Sequence, residues 1–75
     1  MQKIMIIEDD PAIRDELALL LENEGYESVP VTDFDGILDQ AVQERPNLIL
    51  LDIGLPGQDV FSLCTALRKA VPVPT

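Results

Sequence analysis

The chain has 75 residues, with 14 acidic against 5 basic side chains and a formal charge of −9. A chain of this length buries only about 60% of its unfolded surface, and two common reinforcements are missing: Cys64 is the single cysteine, and no histidine is present to complete a Cys/His zinc site. The acidic balance excludes a nucleic-acid grip by this segment, and Tyr26, Phe34 and Phe61 are too few for a base-stacking surface.

Lys3–Ile7 is a short β-branched run that lacks polar alternation, which predicts a strand buried on both faces. It is too short for a signal-peptide core, and the longest apolar run, Leu17 to Leu21, is too short to cross a membrane. Together with the lone cysteine this points to a reducing, cytoplasmic setting. Asp10-Pro11 opens a helix, with Asp10 as N-cap and Pro11 in the first helical position. Ile13, Leu17, Leu20 and Leu21 lie on one face of that helix and are expected in the core, and Gly25 stops it. Tyr26–Val31 reads as a second strand, with Pro30 suiting an edge or strand end. Thr32 or Asp33 caps a second helix with an apolar stripe of Phe34, Ile37, Leu38, Ala41 and Val42, ended by Arg45-Pro46. Leu48–Leu51 is a third strand, apolar on both faces, followed by Asp52 and a loop containing Gly54, Pro56 and Gly57. Val60, Phe61, Cys64 and Leu67 mark a third helix, with Cys64 a packing residue and Arg68 and Lys69 at its negative end. The last residues, Val71–Thr75, read as extended.

This βαβαβα alternation predicts a parallel α/β sheet covered by helices, with right-handed crossovers, in one domain or part of one. Glu8, Asp9 and Asp10 follow strand 1, and Asp52 follows strand 3. If those strands are neighbours, their ends lie about 4.8 Å apart, and functional groups of such sheets gather beyond the carboxyl ends of the strands. Asp10 has a sufficient role as a helix cap. Glu8, Asp9 and Asp52 form an all-oxygen cluster with no nearby Lys or Arg in sequence, and such a cluster suits Mg²⁺. A carboxylate beside that ion would be a nucleophile toward a phosphoryl group.

The strings Ile4-Met5-Ile6-Ile7-Glu8-Asp9-Asp10 and Leu50-Leu51-Asp52-Ile53-Gly54-Leu55-Pro56-Gly57 resemble the receiver domain of two-component response regulators. The resemblance runs through the whole chain in order. The Leu-Pro-Gly-x-Asp segment is most similar to regulators that carry a winged-helix DNA-binding domain. The resemblance implies a flavodoxin-like fold with strand order 2-1-3-4-5, of which this chain would supply order 2-1-3. It implies that Asp52 accepts a phosphoryl group from a sensor histidine kinase. Asp9 would be a direct Mg²⁺ ligand, Glu8 a water-mediated one, and Gly54 the source of a backbone carbonyl. It also implies a self-modifying signalling module controlling transcription rather than a turnover enzyme. Two departures stand out: Val60 replaces a common Gly, and residues 1–75 would be an incomplete receiver domain ending before strand 4. The family's switch Ser/Thr and its lysine have no counterpart here, so phosphorylation of this chain alone is expected to be impaired. Strand 3 would be an exposed edge, which predicts a homo-oligomer formed by edge pairing or an exchanged element. The alternatives are a receiver-like interaction or dimerisation module that is never phosphorylated and an aspartate-based phosphatase. The second fits less well, because Ile53-Gly54 stands where those enzymes resemble one another in Asp-x-Asp.

Overall fold

A computed structural model describes residues 1–57 and 59–75. Three strands, β1 (Lys3–Ile7), β2 (Glu27–Pro30) and β3 (Leu48–Leu51), alternate with helices α1 (Pro11–Asn23), α2 (Ile37–Glu44) and α3 (Val60–Ala70), and a 3₁₀ turn over Phe34–Gly36 leads into α2. The strands form one parallel sheet in the order β2-β1-β3. The neighbour relation on which the acidic cluster depends is therefore present: Ile7 lies opposite Leu51, and the Asp52 N–H donates to the Ile7 carbonyl at 3.0 Å.

Side chains cap α1, α3 and the 3₁₀ turn, whereas α2 follows Gly36 with no side-chain cap. The Asp10 carboxylate accepts from Ala12 N at 2.9 Å and from Ile13 N at 3.4 Å, with Pro11 following it. Asp33 caps the 3₁₀ turn through Asp35 N. Asp59 caps α3, accepting from Ser62 N and from the Ser62 hydroxyl. Val60 is the first residue of α3 and is buried. Helix α1 gives way to a turn at Gly25, whose φ of +90° favours glycine. Helix α2 ends at Arg45 with φ 50°, the same left-handed region without that relief.

Met5, Ile7, Val29, Val31 and Ile49 form one sheet face and pack against Ile37 and Ala41 of α2 and Leu67 of α3. Helix α1 covers the other face but lies over β2 and β1. Arg14 Nη1 ties it to the Val31 carbonyl at 3.4 Å. The α1 stripe is consequently not the core expected from its periodicity. Ile13 and Leu20 are 50% and 55% exposed, while Leu17 and Leu21 are half-buried. Phe61, expected on the α3 stripe, is 82% exposed, because Val60, Leu63 and Leu67 form the inward face instead.

The edge of β3 is partly covered. Ile49 N–H donates to the Pro74 carbonyl at 2.9 Å, so the extended segment after α3 begins to pair beside it.

The two ends of the sheet differ in charge. At the start of β1, Lys3 Nζ donates to the Glu44 carbonyl at 2.9 Å and pairs with Glu27 and Glu44 at 3.7 and 3.5 Å. Arg45, Arg68 and Lys69, at the ends of α2 and α3, share that side because these helices run back against the strands. At the carboxyl ends of the strands stand Glu8, Asp9 and Asp52, which have no ion pair among the described residues.

Candidate functional site

Parallel pairing of β1 with β3 delivers two chain segments, 43 positions apart from Asp9 to Asp52, to one place. One carboxylate oxygen from each of Glu8, Asp9 and Asp52 lies within 4.8 Å of the others. Glu8 and Asp52 are half-buried and Asp9 is exposed. Asp10 stands apart, its carboxylate engaged by the first turn of α1.

Backbone amides hold two of the three acids. Asp10 N–H donates to Glu8 Oε1 at 3.1 Å, and Gly54 N–H donates to Asp52 Oδ1 at 2.9 Å. Gly54 thus meets the site through its amide. A Cβ at this position would stand 3.5 Å from Asp52 Oδ1 and 3.9 Å from Oδ2, against the carboxylate itself. The Pro56-Gly57 turn follows, with Gly57 at φ +72°.

The acids act on one another. The Asp10 amide lowers the pKa of Glu8, but partial burial, hydrogen bonding to Asp52, the Asp52 charge and contact with Asp9 together outweigh it and raise Glu8 above the ordinary 4.5. Among the described residues the ion pairs are those of Lys3, at the opposite end of β1, so no cation is paired with the cluster. Three converging hard oxygens with unrelieved charge are a donor set suited to a small divalent cation.

The site also has an apolar flank, where the open side of β3 meets the acids. Beside Glu8 and Asp52 lies a groove of about 300 Å³ with apolar walls from Ile6, Leu17 and Leu50. It exists because α1 leans toward β2 and leaves the Leu50 side of β3 open. The sequence contains these leucines but not the lateral placement of the helix.

A family model, the response regulator receiver domain, matches residues 4–75. The chain belongs to this family. Among its relatives, the transcriptional regulatory protein YxdJ of Bacillus subtilis (strain 168) is 44% identical over 69 residues, covering 92% of this chain and 30% of YxdJ. The N-terminal domain of the nisin resistance regulator NsrR, a lantibiotic response regulator, superposes with a TM-score of 0.90 at 34% identity, covering 99% of this chain and 62% of that one. A complex of the histidine kinase ThkA with the response regulator TrrA is matched at a TM-score of 0.80 and 30% identity, over 92% of this chain and 60% of the chain matched. This receiver domain therefore spans under a third of that curated relative. Its sheet has the flavodoxin-like arrangement of its structural neighbours, and among the described residues no helix is long and apolar enough to cross a membrane.

Proposed function

We propose that this receiver domain accepts a phosphoryl group on Asp52 from a partner sensor histidine kinase in the cytoplasm and passes the change to a transcriptional output. The observation that carries this reading is the convergence of Glu8, Asp9 and Asp52 within 4.8 Å at the ends of β1 and β3. Gly54 N–H engages Asp52 Oδ1, which leaves Oδ2 as the nucleophile. In the transfer Oδ2 forms a bond to phosphorus, the phosphorus–nitrogen bond of the phosphohistidine breaks, and the imidazole departs with that electron pair. Asp9 and Asp52 would hold Mg²⁺ directly, Glu8 would hold it through water, and the Gly54 carbonyl would supply a further oxygen. The ion supplies charge neutralisation for the incoming phosphoryl oxygens. The domain modifies itself and does not turn over a pool of substrate. The kinase partner is supported by the fold shared with the ThkA–TrrA complex, and the transcriptional output by the likeness to YxdJ.

Incubation with acetyl phosphate and Mg²⁺, read by intact mass, tests the chemistry. The expected result is a phosphoryl adduct that vanishes in Asp52→Asn and loses its Mg²⁺ dependence in Asp9→Asn. Among the described residues no Lys or Arg is paired with the cluster, so labelling of these 75 residues alone is expected to be substoichiometric. Absence of any adduct in a chain with a native spectrum would overturn the reading.

A further inference from the structure

A second concavity lies away from the acids of the site, where the start of α2 meets α3. Its volume is about 400 Å³. Phe34, Ile37 and Leu63 form an apolar floor, continuous with the core. Leu38 forms part of the wall and is 39% exposed. The rim carries Asp35 and Asp39, both exposed and both without a cationic partner among the described residues. These two carboxylates are four positions apart across the junction of the 3₁₀ turn and α2. Both border the same groove, so a cation seated there meets two charges that have no ion-pair partner among the described residues. Among the described residues no Lys or Arg lines the groove.

We propose that this groove docks a short basic protein segment, one apolar side chain filling the space over Phe34 and Leu63 while flanking Lys or Arg side chains pair with Asp35 and Asp39. Charge complementarity selects this occupant. A second copy meeting the groove through the same face would set Asp35 and Asp39 against Asp35 and Asp39. The volume suits one or two side chains rather than a whole helix. The proposal involves neither Asp52 nor a metal, so it stands apart from the phosphorylation reading.

Titration of the ¹⁵N-labelled chain with the hexapeptide RKLLRK tests it. Amide shifts are expected to centre on Phe34–Val42 and on Leu63. The double variant Asp35→Asn/Asp39→Asn should weaken binding about tenfold, whereas Asp15→Asn/Glu16→Gln, the same charge change on α1, should weaken it less than about twofold. Leu38→Ser should weaken binding without altering the net charge, and dispersed spectra of each variant report that it is folded. Equal losses in the two double variants would mean diffuse attraction to an acidic protein and overturn the proposal. Shifts centred on Glu8 and Asp52, no shifts at all, or self-association strengthened by Asp35→Asn/Asp39→Asn would also overturn it.

Discussion

Glu8 is the residue whose protonation couples the site to folding. Its pKa in the folded chain is raised above 4.5, so the folded state keeps this proton over a pH range in which the unfolded chain has lost it. The associated stability is complete below the unfolded value and is lost as pH rises through the folded one. Glu8→Gln removes the titration, so its urea midpoint should gain on that of the parent as pH increases, with little difference near about pH 4. A midpoint difference that is flat with pH would contradict this. Gly54 makes a separate case. An added methyl would meet Asp52 at 3.5 and 3.9 Å, ordinary contact distances, so Gly54→Ala should shift stability by less than about 1 kcal/mol. Because that methyl lies against the carboxylate, the acetyl phosphate labelling rate should change more than the melting temperature does. The identity of the three acids was legible because strand ends are sharply marked by an apolar run meeting a charge. The Asp52–Gly54 amide contact was not, since it depends on the path of the backbone after β3.

Among the elements, periodicity placed all three helices, and the cap residues Asp10 and Asp59 set two of their starts. Asp10→Ala removes acceptors from two amides and should cost about 1 kcal/mol, read by chemical denaturation. What periodicity could not convey was which apolar stripe is covered. A stripe marks a face, but burial also requires a neighbour, and α1 has one over β2 and β1 only. The substitutions Leu67→Ala and Leu20→Ala separate these cases. Leu67 is fully buried, and its truncation should cost about 2–5 kcal/mol, enough to unfold much of a marginal chain. Leu20 is 55% exposed and should cost under about 1 kcal/mol. Comparable losses at both positions would mean that α1 is covered in solution. The fate of Phe61 has the same origin: α3 turns its Val60–Leu63–Leu67 side inward, and a residue one step round the helix from Val60 is carried outward.

At the scale of the molecule, the Cα radius of gyration is 11.5 Å, matching the roughly 11 Å of a compact chain of this length. Three strands are thus enough for a compact shape, though not for covering every apolar surface. Leu50 and Leu51 are half-buried, and Ile53 is 80% exposed beside the site. The edge of β3 is blunted at Ile49 by Pro74, a feature that the extended reading of Val71–Thr75 did not include. We propose that the 75-residue chain self-associates through the remaining edge and these apolar groups. Light scattering should give a mass above that of the monomer, increasing with concentration. A constant monomeric mass with a folded spectrum would refute it. The sheet order was legible as a condition for the acids to meet; the partial closure of its edge was not, because it rests on a single backbone hydrogen bond to a proline carbonyl.

The uneven charge of the two ends of the sheet, one offset by the Lys3 pairs with Glu27 and Glu44 and the other without a counter-charge, has a consequence for approach from a distance. Four of the five cationic side chains, Lys3, Arg45, Arg68 and Lys69, gather at one end, and Glu8, Asp9 and Asp52 at the other. The molecule therefore carries an electric dipole moment along its strands as well as a net charge. A cationic partner diffusing toward it experiences a torque before contact, which turns the strand ends to face it. This orienting effect extends about a Debye length, roughly 8 Å at physiological ionic strength. Added salt should accordingly slow association with such a partner more than it speeds dissociation.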